Sequence, residues 1–595
     1  MKDFLKTTLA VIVGVIIASI LSSLMFFSCV GGLMSSSEPV IPRTGVLKMD
    51  LSQFALTERS TDQTMAMFSG NNTKPVSLWK AVQAINAAAA DPGVKFIYLK
   101  PDGASGSLAQ FEELRASLAE FRKSGKAVIS YIENPTTASY YLASVSDKVY
   151  MLSNMGATPM IIGVGSQMVF LKDLLDRLGV NVQLIRHGKY KSAGEMYVRN
   201  SPSAENLEQY NGMIASVWNT IASAVEESRG ISVARFSKMI ENLELNDARD
   251  MLDNGLVDEL VTKDEMREKI SSLGLYDKYS DVAMIPFADY ADAKVPVDLP
   301  SGKQQIAVVY ASGDITDGDG TDASNVYGDT FATVLAGLRE NDNVKAVVLR
   351  VASPGGSVVA SDKIRTEINL LREKKPVVAS YGAYAASGGY WISASCDRIF
   401  TDNTTLTGSI GCFSMIPDLS RTAKDVLHVG VATVGSSSHS DMYSMMAPLD
   451  SRETAYMQKS IETIYSGFVG LVAEGRDLDP EFVDSIAQGR VWTGADAIRL
   501  GLADENGTLE DAVKYAALLA SDGLSGDLSG WNISEYPRPA SAFESIMSML
   551  GSNNGGGNDV FAGTPFESVG KAFGGWTFEK GEHNFARMEY DVVIR

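Results

Sequence analysis

The sequence is poor in the residues that most often hold metals or take protons in enzymes. It contains only 3 cysteines and 4 histidines in 595 residues. The cysteines show no CxxC spacing, and the histidines form no HExxH motif or other ligand cluster. A zinc site or a disulfide framework is therefore not expected. We predict no metal and no cofactor, and a histidine base for a hydrolytic site has few candidates.

Positive charge is also scarce, because the formal net charge at pH 7 is −20. A nucleic-acid binder needs a basic footprint, so the composition predicts no nucleic-acid partner. The hydrophobic content of 45% is ample for a sizeable core, and the length allows several domains.

One long uncharged run lies at the N-terminus. Lys2 and Lys6 precede residues 8–34, which contain no charged side chain. This run exceeds the roughly 20 residues that span a bilayer and the roughly 7–15 of a signal-peptide core. We predict that residues 1–44 form an uncleaved signal anchor with one transmembrane helix and cytoplasmic lysines. The alternative is a cleaved signal peptide, or a lipoprotein whose signal sequence ends at Cys29.

The body of the chain carries one pattern twice. The apolar segments KFIYLK (95–100) and KAVVLR (345–350) each precede a turn, a helix and another apolar segment. ASYYLASVSDKVYM (138–151) likewise resembles SGGYWISASCDRIFT (387–401), with an offset of 397 − 147 = 250 between the aspartates. Strands that alternate with helices predict a parallel sheet with right-handed crossovers.

We therefore predict an α/β protein with two tandem units. The predicted segments are the anchor at 1–44, an N-terminal unit at 45–285, a linker at 286–305, a C-terminal unit at 306–525, and a tail without an assigned role at 526–595.

The two units differ in the residues that could carry chemistry. Ser387 lies in YAASGGYWIS, whereas the first unit has Thr137 at the equivalent position. The SPGG turn at 353–356 has no Gly-Gly counterpart in the first unit. Conversely, HGKYKSAGE (187–195) carries two lysines, whereas its counterpart VGSSSHSDM (434–442) has none. One unit thus holds a serine site without a base, and the other holds a candidate base without a serine.

A serine nucleophile needs an adjacent base and two N–H donors for the developing oxyanion. The SPGG turn follows a strand and opens a helix, so its amides form an anion pocket. We predict that the N–H groups of Gly356 and Gly388 are the oxyanion donors. A lysine acts as a base where burial favours its neutral form. Lys189 and Lys191 are both candidates on this reasoning.

Four motifs together resemble the long, two-domain form of the bacterial signal peptide peptidase SppA family: YKSAGE (190–195), SPGGS (353–357), AASGGYWIS (385–393) and LTGSIGCF (406–413). The resemblance implies tandem Clp/crotonase-like α/β spiral domains and a homotetramer. It also implies a single-pass anchor in the inner membrane, with the catalytic body on the periplasmic side. The implied substrates are signal peptides already released by signal peptidase.

The resemblance further implies the roles of individual residues. Ser387 is the expected nucleophile, Lys191 rather than Lys189 the general base, and Ser409 the residue that orients the lysine. The predicted function is a membrane-anchored serine endopeptidase that acts through an acyl-enzyme. We expect the peptide substrate to add as a strand beside residues 407–413. The alternatives are a crotonase-like acyl-CoA enzyme, whose Gly-Gly turn is similar, and an inactive membrane scaffold.

Overall fold

The computed structural model describes residues 40–60, 73–295, 304–320, 324–521, 525–538 and 585–588. The predicted anchor falls almost wholly on residues 1–39, which lie outside the described residues, so it stays a prediction. Among the described residues, none of the helices combines the length and the apolar character that crossing a bilayer requires.

Strands and helices alternate in the N-terminal half. In chain order they are β1 (Gly45–Asp50), β2 (Phe54–Thr57), β3 (Lys74–Ser77), α1 (Leu78–Ala90), β4 (Val94–Lys100), α2 (Leu108–Lys123), β5 (Val128–Ile132), α3 (Thr137–Ala143), β6 (Lys148–Leu152), α4 (Lys172–Leu178), β7 (Asn181–Arg186), α5 (Glu195–Val198), α6 (Ala204–Arg229), α7 (Val233–Glu241), α8 (Ala248–Asp253), β8 (Glu259–Val261), α9 (Lys263–Leu273), β9 (Met284–Pro286) and α10 (Phe287–Lys294), with a 3-10 turn at Tyr279–Asp281.

The C-terminal half continues in the same manner. Its elements are β10 (Gln305–Ser312), β11 (Asp314–Thr316), β12 (Asn325–Tyr327), α11 (Gly328–Glu340), β13 (Val344–Ser353), β14 (Gly355–Ser357), α12 (Val358–Arg372), β15 (Val377–Ala386), α13 (Gly388–Ser393), β16 (Arg398–Thr401), β17 (Leu406–Gly408), β18 (Phe413–Asp418), α14 (Ser451–Arg476), α15 (Pro480–Ile486), β19 (Val491–Thr493), α16 (Gly494–Arg499), β20 (Glu505–Asn506), α17 (Leu509–Ala520), β21 (Asn532–Tyr536) and β22 (Phe585–Arg587), with a π-helical turn at Thr422–Val426.

The two halves share one strand order. The first sheet runs β8-β6-β5-β4-β1-β9, and the corresponding path in the second half is β20-β16-β15-β13-β10-β21. All neighbouring strands along these two paths are parallel. Most positions in these strands are buried, because helices cover both faces of such a sheet. The prediction of an α/β fold with two tandem units is confirmed.

The repeat extends to individual side chains. Asp147 accepts a hydrogen bond from the Val128 N–H and pairs with Arg122. Asp397, 250 positions later, accepts from the Val377 N–H and pairs with Arg372 in the same way. Each aspartate therefore ties the start of one strand to the end of the preceding helix.

The segments predicted to flank the second unit contain ordered elements. Residues 286–305, predicted to be a linker, begin with helix α10, whose Phe287 and Tyr290 are buried in the N-terminal core. This segment contains Pro286, Pro296 and Pro300, but none of them lies within the helix, because Pro286 precedes its first residue and the other two follow its end. The predicted tail at 526–595 contains β21, which pairs with β10 as β9 pairs with β1. It also contains β22, which joins a third sheet.

This third sheet connects the halves, with the order β12-β11-β14-β22-β18-β7. Strand β7 of the first half pairs antiparallel with β18 of the second half, with Asn181 opposite Asp418 and Arg186 opposite Phe413. The loop that follows β7 carries the candidate lysines. The pairing therefore brings this loop against the C-terminal half.

Candidate active site

Ser387 occupies a sharp turn between β15 and α13. Its backbone has φ 54° and ψ −113°, and its side chain is fully buried. A positive φ is uncommon for a non-glycine residue and marks a conformation that surrounding contacts must hold. The Ser387 N–H donates to the Gly408 carbonyl at 2.8 Å, and the Ser387 carbonyl accepts from the Trp391 N–H at 2.8 Å. These two bonds hold the backbone of the turn in this conformation.

Lys191 meets this hydroxyl from the other half of the chain. Its Nζ lies 2.9 Å from the Ser387 Oγ, 3.0 Å from the Ser409 Oγ and 3.3 Å from the Ser409 carbonyl oxygen. Only 1% of Lys191 is exposed, and Ser409 is 2% exposed. The structure thus brings together the three side chains that the motifs predicted.

Lys189 is placed differently. It is exposed, and its Nζ lies 5.0 Å from the centre of the Tyr190 ring. Of the two candidate bases in HGKYKSAGE, only Lys191 contacts the serine.

The lysine loop is held by a segment that sequence reasoning missed. The Tyr190 N–H donates to the Gln488 carbonyl, and the Gly489 N–H donates to the Ile410 carbonyl, both at 2.9 Å. A Cβ at position 489 would lie 2.5 Å from the Lys191 Cβ. Gly489 therefore lets residues 488–490 lie directly against Lys191. A single glycine before a short strand is the ordinary signal of a turn, so nothing in the sequence singled it out.

The two predicted oxyanion glycines lie on elements that pack together, β14 and α13. A Cβ on Gly356 would lie 1.9 Å from the Ile315 carbonyl oxygen, so only glycine fits there. Gly388 is the first residue of α13, where backbone N–H groups have no acceptor within the helix. Both positions thus offer main-chain amides near Ser387.

An apolar pocket adjoins the lysine and Ser409. Its lining includes Tyr190, Ala193, Tyr210, Met213, Leu406 and Val491. The pocket draws side chains from both halves of the chain. Met588 of β22 also lines this pocket and packs with Tyr210, Met213, Leu406 and Val491, so an apolar side chain already fills most of it.

The first half has no equivalent chemistry at the matching position. The Thr137 Oγ1 donates to the Gly163 carbonyl at 3.0 Å, so this hydroxyl is tied to the backbone. Asp102, in the turn that corresponds to SPGG, accepts from the Glu133 and Asn134 N–H groups. Burial raises the pKa of this carboxyl.

The cysteines described by the structure are poor nucleophiles. Burial raises the pKa of both Cys396 and Cys412 to about 12, so both thiols are protonated near neutral pH. His439, Asp450 and Glu453 form the one group of potential metal ligands in the described ranges. Asp450 and Glu453 also cap α14 through its backbone N–H groups.

Two stretches of the chain match the model of Peptidase family S49, at residues 120–274 and 369–521. Protease 4 of Haemophilus influenzae is 36% identical over 465 residues, which cover 75% of this chain and 74% of that protein. This chain belongs to peptidase family S49.

Two further relatives match over most of the chain. Protease 4 of Salmonella typhi is 35% identical over 527 residues, covering 85% of this chain and 83% of that protein. The chloroplastic serine protease SPPA of Arabidopsis thaliana is 28% identical over 517 residues, covering 86% and 75%. As an S49 member the chain is a serine protease, which confirms the predicted enzyme class. The acyl-CoA alternative is wrong.

Proposed function

We propose that this S49 peptidase is a membrane-anchored endopeptidase that uses Ser387 as its nucleophile and Lys191 as its general base. The observation that carries the proposal is the 2.9 Å contact between Lys191 Nζ and Ser387 Oγ, which joins two buried side chains from different halves. A scaffold that had lost its activity would be expected to lack a member of this pair.

The proposed reaction begins when Lys191 accepts the Ser387 proton as Oγ attacks a peptide carbonyl. A lysine takes a proton only in its neutral form, which burial away from water favours. The Ser409 Oγ lies 3.0 Å from Nζ and orients the amine toward Ser387. Lys191 then passes the proton to the departing amine, and in the second half of the reaction it activates the water that hydrolyses the ester.

The N–H groups of Gly356 and Gly388 stabilise the oxyanion in this proposal. Main-chain donors of this kind are aimed at charge that develops in the transition state, and their loss costs about 100-fold or more in rate. The Gly388 amide stands at a helix N-terminus, where the helix dipole favours negative charge.

The proposed substrates are released signal peptides. The apolar pocket beside Lys191 supports this, since signal peptides are rich in apolar residues. The motif resemblance supports the same class, and also Clp/crotonase-like spiral domains in a homotetramer. The uncharged run at 8–34 supports a single-pass anchor in the inner membrane, with residues from about 45 onward on the periplasmic side.

The dyad is tested by cleavage of an unstructured Leu/Ala-rich peptide, followed by mass spectrometry. The full chain in detergent is compared with Ser387→Ala, Lys191→Ala and Lys189→Ala. We expect the wild type and Lys189→Ala to cleave, and the other two variants to lose activity by at least about 100-fold. Near wild-type cleavage by Lys191→Ala would place the base elsewhere. Protease accessibility of the body in intact inner-membrane vesicles and cells tests the orientation.

A further inference from the structure

The loop that carries Lys191 also carries a buried carboxylate, Glu195, which the proposed reaction does not use. Glu195 is 0% exposed. A buried carboxylate is costly unless positive charge and hydrogen-bond donors surround it. Its Oε1 lies 3.3 Å from the Arg186 Nη1, and its Oε2 accepts from the Ser203 N–H at 3.1 Å and from the Asn206 Nδ2 at 3.2 Å. Ser203 is the N-cap of α6, so the carboxylate also lies at the positive end of that helix.

One set of these contacts holds the backbone of Lys191. The same Arg186 Nη1 donates a hydrogen bond to the Lys191 carbonyl oxygen. Arg186 is the last residue of β7, and it pairs with Phe413 at the start of β18. The guanidinium therefore ties the lysine to the strand pair that joins the two halves, and Glu195 holds the guanidinium in place.

A second set of contacts holds the residues on either side of the lysine. The Gln209 Nε2 lies 3.0 Å from the Asn206 Oδ1, and both side chains are buried on the first turns of α6. This amide nitrogen also lies 3.2 Å from the Tyr190 carbonyl oxygen and 3.1 Å from the Ser192 Oγ. The Gln209 Oε1 accepts from the Val491 N–H at 3.2 Å. The start of α6 is thus connected to both neighbours of the lysine and to the C-terminal half.

We propose that Glu195 is a positioning residue for the general base. The inference rests on the proposed dyad. Glu195 contacts Arg186 with one carboxylate oxygen and Asn206 with the other, so it joins the contacts that hold the Lys191 carbonyl to those that hold its two neighbours. With this backbone fixed, the lysine Nζ stays 2.9 Å from the Ser387 Oγ. Glu195 acts through the lysine and does not touch the substrate.

The test compares the wild type with Glu195→Gln and Gln209→Met in cleavage of the Leu/Ala-rich peptide by the full chain in detergent. Glu195→Gln keeps the volume of the side chain, but it removes the charge and sets an NH2 group against a donor. We expect kcat to fall by at least about tenfold and KM to change by less than about threefold, because a small displacement of the base lowers the rate and leaves binding intact. Gln209→Met removes the second set of contacts without changing any charge, and its kcat should also fall.

The kcat values are referred to active sites that are titrated to completion with a peptidyl fluorophosphonate, which labels an activated serine. Loss of folded enzyme lowers the titrated fraction, whereas displacement of the base lowers kcat per titrated site. The matched control is Asp258→Asn. Asp258 pairs with Arg229 at 3.0 Å and accepts from the Val149 N–H at 2.8 Å, at the opposite end of α6 from Glu195. This variant should unfold at lower urea and keep the wild-type kcat per titrated site.

The outcomes separate this inference from the dyad. If Lys191→Ala loses activity but Glu195→Gln keeps the wild-type kcat per titrated site, the positioning role is wrong and the dyad stands. If Lys191→Ala cleaves at near the wild-type rate, the dyad is wrong and the inference falls with it. A higher KM with an unchanged kcat would also overturn the inference. If Glu195→Gln does not fold, Gln209→Met decides by the same kcat criterion, because it leaves the buried carboxylate and its arginine in place.

Discussion

The substitution Gly489→Ala tests whether the fit between residues 488–490 and the lysine loop positions the base. Gly489 has φ +78°, and a Cβ there would lie 2.5 Å from the Lys191 Cβ and 2.6 Å from its Cα. Ordinary contacts begin near 3.4 Å, so the lysine backbone must move by 3.4 − 2.5, or about 1 Å. A misplacement of this size costs about 100-fold in rate. We therefore expect kcat to fall by about 100-fold, with a much smaller change in KM.

Gly255→Ala is the matched control for backbone strain. Gly255 has φ +75°, and a Cβ there would meet nothing within 4 Å. In both variants, alanine at a positive φ lowers the free energy of unfolding by about 1–2 kcal/mol. Steady-state kinetics give kcat and KM for both variants, and urea denaturation gives their free energies of unfolding. If Gly489→Ala keeps a kcat close to that of Gly255→Ala, the fit around Lys191 does not position the base.

Three further predictions concern the orienting serine and the charges buried between the halves. Ser409→Ala removes one hydrogen bond to Lys191 Nζ, which is worth about 1 kcal/mol. We therefore expect kcat to fall about fivefold and the pH profile of kcat to shift. An unchanged pH profile would contradict the orienting role of Ser409. Arg350 is fully buried against Glu58 and Glu113, so Arg350→Met should lower the free energy of unfolding by about 3–5 kcal/mol in urea denaturation, whereas the exposed Arg499→Met should have little effect. Burial, with Glu113 and Glu112 nearby, raises the pKa of Asp402 in the folded protein well above its ordinary value. The wild type therefore loses stability as the pH rises from the pKa of Asp402 in the unfolded chain toward its pKa in the folded chain. Asp402→Asn should remove this loss, so its stability relative to the wild type should be greater at pH 8 than at pH 5; a constant difference contradicts the assignment.

The sequence was most informative where local pattern and repetition agree. The 250-residue offset correctly paired Asp147 with Asp397, because equivalent strand starts need the same hydrogen-bond acceptor. The loss of serine from one half and of lysines from the other predicted that a site would draw on both. The structure brings Lys191 to Ser387 through the pairing of β7 with β18, a contact between distant segments that no local pattern reports.

The elements that sequence reasoning missed depend on distant partners. Strand β22 has three residues and no periodicity, and it is ordered by residues 355–357, which lie more than 200 positions earlier. Helix α10 was hidden by the prolines around it, although its buried Phe287 and Tyr290 have helical spacing. Gly489 matters only because Lys191 packs against it, and this relation exists only in the folded chain.

The central claim is that Lys191 activates Ser387 across the two halves, and labelling with a peptidyl fluorophosphonate tests it without requiring turnover. Intact mass gives the labelling rate, and peptide mapping gives the modified residue, for the wild type, Ser387→Ala and Lys191→Met. The account predicts labelling of the wild type at Ser387, at least about 100-fold slower labelling of Lys191→Met, and none of Ser387→Ala. Labelling of Lys191→Met at the wild-type rate would contradict it.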